Sequence, residues 1–300
     1  MEVTLASGET ADLAQFSPGE LHRLQFEQEQ EFARQITATS KGTAARAETL
    51  ERSYNTVCTI LAQMQAGAGP LAMGYDARYV SLVKDVLRAQ QRRFGHAPRF
   101  FEVGYGSGLM LAEVFAAGFP VAGIEVSQTM HAQAVTQLPE KCHRQLLVGG
   151  LLTHERLSTP EQFDVIYWND VFEHIPTDEI ADYLARLYKL LTPGGCLITI
   201  TPNWHERPSD VTGDFCPART EARGLHLREY TQRDVNRLLR TAGFARVHTP
   251  LCKTRSRFVM GLGGLAPLKR CLEPALEWVP ARYVAKLTRV LALSCTVAYK

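Results

Sequence analysis

Apolar and polar positions recur in two different ways along this chain, and the change between them divides it into regions. In residues 20–66 and 76–93 the apolar positions recur at helical spacing among Gln, Glu, Ala and Arg, which predicts three helices. From residue 99 onward, short apolar runs alternate with helical segments. Such alternation is typical of βαβ units and predicts an α/β fold, with a mostly parallel sheet and helices on both faces.

The apolar runs predict seven strands, at residues 100–103, 121–125, 144–148, 163–168, 196–201, 245–250 and 291–298. About forty residues of helical character separate the last two runs, too many for a hairpin turn. We expect three regions: a helical N-terminal extension or lid at 1–95, an α/β core at 96–250, and a helical cap insertion with the final strand at 251–300. The helices flanking the core, at 20–93 and 253–290, are expected to cover a substrate site.

The composition is that of an ordinary globular protein, with 45% apolar and 21% charged residues. The seven cysteines are scattered without a Cys-x-x-Cys pair, which indicates reduced thiols rather than a disulfide framework or a zinc site. The first twenty residues contain four acids and no long apolar run, and the apolar stretch 290–298 is too short for a bilayer. We therefore expect a cytoplasmic protein with no secretory signal and no transmembrane segment.

Basic residues are concentrated near the C-terminus. The net charge of +2 implies no partner by itself, but residues 253–300 contain nine Lys and Arg against two acids, Glu273 and Glu277. The simplest interpretation is a solvated helical face. The alternative is a surface that attracts an anionic substrate or lipid head groups.

The most distinctive local feature is a glycine-rich turn between the first core strand and the next helix. Residues 100–108 read Phe-Phe-Glu-Val-Gly-Tyr-Gly-Ser-Gly. Glycine lets backbone N–H groups approach a ligand closely. A dinucleotide-binding loop, Gly-x-Gly-x-x-Gly, would need glycine at 109, where this chain has Leu109. Glu125 ends the second strand, where a carboxylate can accept hydrogen bonds from both hydroxyls of a ribose.

This glycine loop resembles the S-adenosylmethionine (SAM)-binding loop of class I methyltransferases. Residues 163–176 and 190–198 resemble the fourth-strand and fifth-strand motifs of the same superfamily. The resemblance covers roughly residues 98–250 and implies a Rossmann-like, seven-stranded methyltransferase sheet with SAM as cofactor. The residues it implies for SAM binding are Glu102, Gly104, Tyr105, Gly106, Ser107, Gly108, Glu125, Val126, Gly150, Leu151, Asn169 and Asp170.

The chain departs from the family after the third strand. An acid often precedes the residue that contacts adenine, but residues 148–151 read Val-Gly-Gly-Leu. A backbone group would then have to bind the adenine amino group.

A cluster of carboxylates and imidazoles is expected where the fourth strand ends. Asp170, Glu173 and His174 follow that strand, and His226 lies farther along the chain. In one interpretation Glu173 and His174 only stabilise the loop. In a second, His174 or His226, with Glu173 nearby, is a general base that deprotonates the acceptor, because the pKa of histidine lies near neutrality.

In a third interpretation all four side chains bind a divalent metal that activates a hydroxyl. An acid followed by x-x-Glu-His and a distant histidine resembles the ubiquinone-pathway O-methyltransferases and the small-RNA 2′-O-methyltransferases, which often carry glutamate where this chain has Asp170. Metal is not expected as a required cofactor.

The leading functional hypothesis is SAM-dependent transfer of a methyl group to O or N of a small-molecule acceptor, such as a natural product, a sugar or a quinone-like phenol. Residues 201–203 through 226–230 are most similar to those of bacterial small-molecule and glycan-pathway methyltransferases. The alternatives are a metal-dependent RNA ribose 2′-O-methyltransferase and a non-catalytic SAM-binding protein. A nucleic-acid partner is not expected, because the core has more acids than bases and no aromatic and basic interleaving.

Overall fold

The computed structural model describes residues 1–66, 69, 71–158, 162–254, 257–260 and 265–300. Its strands are β1 (Glu2–Thr4), β2 (Thr10–Asp12), β3 (Phe100–Val103), β4 (Val121–Glu125), β5 (Leu146–Val148), β6 (Phe163–Asn169), β7 (Leu191–Ile200), β8 (Arg246–His248), β9 (Pro250–Thr254), β10 (Arg257–Met260) and β11 (Cys295–Tyr299). Its α-helices are α1 (Pro18–Ala38), α2 (Ala44–Met64), α3 (Ala77–Phe94), α4 (Leu109–Ala116), α5 (Gln128–Gln137), α6 (Glu140–His143), α7 (Ile180–Leu190), α8 (Thr212–Phe215), α9 (Gln232–Thr241), α10 (Leu265–Leu272) and α11 (Ala281–Leu291).

The central sheet has seven strands in the order β5-β4-β3-β6-β7-β11-β8. The first five of these run parallel, whereas β11 is antiparallel to both of its neighbours. The chain builds outward from β3 to β5 and then returns to place β6 on the other side of β3. Ligands of such sheets bind beyond the carboxyl ends of the strands at this reversal point. The predicted Rossmann-like α/β sheet of seven strands is confirmed.

Two apolar layers cover the faces of the sheet. On one face α3 and α4 contribute buried side chains such as Leu82 and Leu111, and on the other α7 and α9 contribute Leu184 and Leu239. Every residue of β6 is buried, as expected for a parallel strand covered on both faces.

The N-terminal helices pack beside the carboxyl edge of the sheet. Helix α1 begins with a capping box, in which Ser17 accepts a hydrogen bond from the Glu20 N–H and the Glu20 side chain accepts one from the Ser17 N–H. Phe32 of α1 and Val57 of α2 share an apolar cluster with Leu225, which lies in the long loop after β7. The loop and the two helices therefore form one wall over the sheet edge.

The predicted insertion between the last two strands is not wholly helical. It begins with the antiparallel hairpin β9–β10, and only then do α10 and α11 follow. Phe258 of this hairpin stacks on Tyr79 of α3, with the ring centroids 4.8 Å apart. This contact packs the hairpin against α3, and the spacing of apolar residues in the sequence did not indicate the hairpin. Residues 255, 256 and 261–264 of the predicted insertion lie outside the described residues.

Strand boundaries also differ from the prediction. The final strand begins at Cys295, because Leu291 ends α11 and Ala292 adopts a left-handed conformation. Strand β7 begins at Leu191 and runs through the Pro-Gly-Gly turn predicted before it, with a register shift opposite β6. A small hairpin, β1–β2, precedes α1 and was not predicted. Within the described part of the chain, no helix is long and apolar enough to cross a membrane.

Candidate active site

One large cavity of about 910 Å³ lies between α1, α2 and the carboxyl ends of the parallel strands. Its floor includes the glycine loop after β3, and the loop after β7 contributes residues 209–211, Leu225 and His226. A continuous cavity of this size is within the range of cofactor and ligand sites. It lies at the reversal point of the sheet, where the sequence predicted the site.

The glycine loop and Glu125 are joined by hydrogen bonds. Gly104 and Gly106 have φ angles of +68° and +52°, which glycine adopts without strain. The Glu125 carboxylate accepts hydrogen bonds from the backbone N–H groups of Gly106, at 2.8 Å, and Ser127, at 2.9 Å. Burial raises the pKa of Glu125, and these N–H donors partly offset that rise. Each carboxylate oxygen keeps a lone pair for a further donor.

The predicted cofactor residues fall into two groups. Those that line the cavity are Gly104, Gly106, Glu125, Val126, Gly150, Leu151 and Asp170. The other five support the loop from behind or beside it. The Tyr105 hydroxyl contacts His131 Nδ1 at 2.7 Å and donates to the Leu147 carbonyl, and Glu102 is buried. Gly108 packs against Ala134.

A short segment lies over the glycine loop. It consists of residues 71–74, which were not among the predicted site residues. The Ser107 hydroxyl donates to the Leu71 carbonyl at 2.6 Å, and the Asn169 amide donates to the Gly74 carbonyl at 2.6 Å. A Cβ on Gly106 would lie 2.5 Å from the Met73 carbonyl oxygen. Ser107 and Asn169 therefore anchor this segment.

The four side chains predicted as a cluster do come together. One ligating atom from each of Asp170, Glu173, His174 and His226 lies within 4.8 Å of the others. The two imidazole rings are 4.7 Å apart in an edge-to-face arrangement. Asp170 has a φ of +60°, which is uncommon for a residue other than glycine. This turn immediately after β6 places Asp170 against the cavity.

Both imidazoles are oriented by hydrogen bonds at Nδ1. His174 Nδ1 lies 2.9 Å from the Leu225 carbonyl, which can only accept, so Nδ1 carries the proton and Nε2 keeps its lone pair. His226 Nδ1 lies 3.4 Å from Glu229, and its Nε2 is 4.0 Å from Glu173 Oε1. Glu229 was not among the predicted site residues, although it lies three positions after His226 in the sequence.

The two carboxyl oxygens of Glu173 differ. Thr201 donates a hydrogen bond to Oε2 at 2.9 Å, whereas Oε1 is buried without a hydrogen-bond partner among the described residues. Burial and the charge of Asp170 raise the pKa of Glu173. Glu173 Oε1 lies on the side of His226 and can bind a proton or a cation.

The pKa values of the two histidines are shifted in opposite directions. Burial and the charge of His226 lower the pKa of His174 to about 4. Burial alone would lower the pKa of His226, but the Glu229 hydrogen bond and the charges of Glu173 and Asp170 outweigh it and raise the pKa to about 9. At neutral pH His174 is therefore a neutral imidazole, and its Nε2 lone pair can accept a proton.

The C-terminal insertion does not cover this cavity, contrary to the prediction for residues 253–290. None of its described residues lines the cavity. Phe258, Ala285, Thr288 and Arg289 instead border a neighbouring cleft of about 360 Å³ beside Asn169 and Thr201. Contacts at the end of β7 hold the insertion there, because Asn203 donates to buried Glu273 at 2.9 Å.

Comparison with known families identifies the class of protein. The family model "Methyltransferase domain" matches residues 75–249, which is more than half of the chain. The chain therefore belongs to the SAM-dependent methyltransferases of class I, and the predicted superfamily is confirmed.

Individual relatives match part of the chain. A ubiquinone biosynthesis O-methyltransferase of Rhodopseudomonas palustris (strain BisB18) is 28% identical over 43% of this chain and 50% of its own length. An uncharacterized methyltransferase of Bacillus thuringiensis (strain Al Hakam) is 30% identical over 41% of this chain and 52% of its own. The chain thus spans about half the length of these curated relatives.

Solved structures of similar proteins include a SAM-dependent methyltransferase from Archaeoglobus fulgidus. It is 16% identical, with a TM-score of 0.44, over 74% of this chain and 94% of its own. The amino pentose methyltransferase CalS10 from Micromonospora echinaspora is 29% identical, with a TM-score of 0.35, over 42% of this chain and 50% of its own.

Proposed function

We propose that this protein transfers the methyl group of SAM to a hydroxyl oxygen of a small-molecule acceptor bound in the same cavity. The observation that carries the proposal is the proton-accepting cluster of Asp170, Glu173, His174 and His226 beside the glycine loop. A hydroxyl must lose its proton as it attacks the methyl carbon, whereas a neutral amine attacks without prior deprotonation. A positioned base therefore favours oxygen over nitrogen as the attacked atom.

In the proposed complex the glycine loop and Glu125 hold the cofactor, with Glu125 accepting from the ribose hydroxyls. The acceptor hydroxyl approaches His174 Nε2, whose lone pair takes the proton. The Leu225 carbonyl fixes the ring by accepting from Nδ1. Alignment of the oxygen with the sulfonium methyl supplies most of the remaining rate.

The charge of the cavity supports a small acceptor without phosphate groups. Seven carboxylate side chains line the cavity, whereas Arg46 is the single Lys or Arg among its described lining residues, and Arg46 already pairs with Asp178 and Glu179. An RNA backbone or a phosphorylated acceptor would meet repulsion there. The cavity therefore favours a neutral or cationic acceptor, which argues against the RNA alternative.

A divalent metal is the second candidate for activating the hydroxyl. The four side chains fit one, because Glu173 Oε1 is buried and has no hydrogen-bond partner in the described part of the chain. Both imidazoles are also held through Nδ1, as metal-bound histidines usually are. Such an ion would be held by Asp170, Glu173, His174 and His226 and would lower the pKa of a bound hydroxyl.

The first test is calorimetric titration with S-adenosylhomocysteine, followed by acceptor screening with phenols, hydroxylated sugars and amines. We expect hydroxyl acceptors to be methylated. His174→Ala should lower kcat by about 10²–10⁴-fold and leave the affinity for S-adenosylhomocysteine unchanged. His96→Ala, at an exposed histidine, is the control. Hydroxyl acceptors that are methylated equally fast by wild type and His174→Ala, or methylation of amines alone, would refute oxygen transfer with His174 as base.

The seven cysteines are all free thiols, and we propose the cytoplasm as the location because a reducing compartment suits them.

A further inference from the structure

The described residues expose few large apolar side chains, and most of them lie in one stretch of the C-terminal insertion. Seven such side chains are exposed in all, and five of them are Leu268, Leu272, Trp278, Tyr283 and Val290. Trp278 is 88% exposed. Single exposed apolar residues need no explanation, but a concentration of them marks an interaction site. The exposed side chains of residues 268–290 are called the C-terminal surface below.

Exposed basic side chains lie in the same stretch, and its two acidic side chains are bound to other residues. Arg270, Arg282 and Lys286 are exposed. The two acids of the stretch are already engaged. Glu273 is buried and accepts from the Gln232 N–H at 2.6 Å, and Glu277 pairs with Arg207 at 2.7 Å. The C-terminal surface is therefore both apolar and positively charged.

Helix α11 shows the arrangement most clearly. Its inward face buries Val284 and Thr288. Tyr283 and Val290, which lie on another face at i and i+7, remain exposed, and Lys286 stands between them. The Arg282 guanidinium lies 4.8 Å from the centre of the Tyr283 ring. Aromatic and leucine side chains beside Lys and Arg are typical of helices that lie in a membrane interface.

We propose that the C-terminal surface docks this enzyme on the surface of an anionic lipid bilayer. Trp278 and Tyr283 enter the head-group region, and Arg270, Arg282 and Lys286 lie against lipid phosphates. The contact is peripheral, because no described helix is long and apolar enough to cross the bilayer. The proposal does not depend on the acceptor, since the C-terminal surface contributes no residue to the cavity.

A second copy of the chain is a poorer occupant for the same surface. A two-fold interface places each patch against itself. The cations of one copy would then face those of the other, with no free acid on the C-terminal surface to neutralise them. An anionic bilayer can pair with the basic side chains and also bury the apolar ones.

The test is sedimentation of the full chain with phosphatidylcholine vesicles, with and without phosphatidylglycerol. Tryptophan emission reports the contact, because Trp278 is almost fully exposed whereas Trp168 is fully buried and Trp204 is half-buried. We expect binding to the anionic vesicles only, with a blue shift that is lost in Trp278→Phe. Each basic residue near an anionic surface strengthens binding by about fivefold, so Arg282→Glu with Lys286→Glu should weaken it by roughly 25-fold or more.

The matched control is Arg92→Glu with Lys189→Glu, which makes the same change in net charge at two other exposed positions. This control should bind like wild type. Equal binding to neutral vesicles, no binding, or equal loss in the control would each overturn the proposal. So would a dimer that Trp278→Ser dissociates, because the surface would then serve self-association. Circular dichroism of each variant verifies folding.

Discussion

The ion pair between Arg46 and Glu179 joins the N-terminal helices to the core, and its energy can be predicted from its burial. Arg46 Nη1 lies 3.0 Å from Glu179, and the two side chains are 5% and 7% exposed. Arg46 also donates to the Thr39 carbonyl at the end of α1. Asp178, the second partner, is 48% exposed, so its share is within about 1 kcal/mol. The buried pair of Arg46 with Glu179 should therefore contribute most of the energy of the interaction.

Removing Arg46 alone leaves the Glu179 charge buried. Such a loss costs about 3–5 kcal/mol. We expect Arg46→Met to lose stability by an amount near the lower end of this range, because Glu179 keeps a hydrogen bond from the Gly42 N–H at 3.2 Å. Arg46→Met with Glu179→Gln removes both charges and should recover more than half of that loss, because no unpaired charge remains.

Urea unfolding of the wild type, both single variants and the double variant gives the coupling energy. Arg34→Met is the control, because Arg34 pairs with Glu31 on the surface with the side chains 68% and 38% exposed. It should change stability by less than about 1 kcal/mol. A coupling for Arg46 and Glu179 no larger than that of the surface pair would refute the reasoning. It would mean that α2 does not stay docked over the cavity in solution.

Three further predictions address the site and its surroundings. Gly106→Ala should weaken binding of S-adenosylhomocysteine by at least about tenfold in calorimetry, because its φ is +52° and its Cβ would meet the Met73 carbonyl at 2.5 Å; Gly118→Ala, with φ +89° and no atom within 4 Å, isolates the backbone strain. The Arg207 hydrogen bond lowers the pKa of Glu277 from 4.5 to about 2, so the stability it contributes is present above pH 4.5 and is lost as the pH falls towards 2. Urea midpoints of wild type and Glu277→Gln should therefore differ at about pH 7 and converge at about pH 2; a constant difference would contradict this origin. If the cluster binds a metal, Mn²⁺ or Mg²⁺ at about 100 times its Kd should stabilise chelator-treated protein by about 2.7 kcal/mol in thermal melts, and Glu173→Gln should abolish the shift.

The sequence could predict those parts of the fold that depend on residues close to one another in the chain. The glycine loop, Glu125 and the seven apolar runs are local signals, and each run contains all or part of a strand of the central sheet, although several strand ends are shifted. The meeting of His174 and His226 was anticipated through resemblance, although 52 positions separate them; the Leu225 carbonyl and Glu229 that orient them were not. Contacts between distant segments could not be inferred from spacing. Phe258 lies in a hairpin that stacks on Tyr79 of α3, and Asn203 donates a hydrogen bond to Glu273 of the insertion; both contacts join segments that are far apart in the sequence.

The bond between Glu125 and the Gly106 N–H has a consequence for how the enzyme is regulated. The carboxylate and the loop hold one another in place through this hydrogen bond. Binding therefore costs little ordering of this region, and affinity comes from preorganisation. In the proposed complex these groups contact the ribose and amino-acid portions, which SAM and S-adenosylhomocysteine share. We therefore expect this unit to bind both molecules alike, so that S-adenosylhomocysteine competes with SAM and the rate of methylation depends on the ratio of the two.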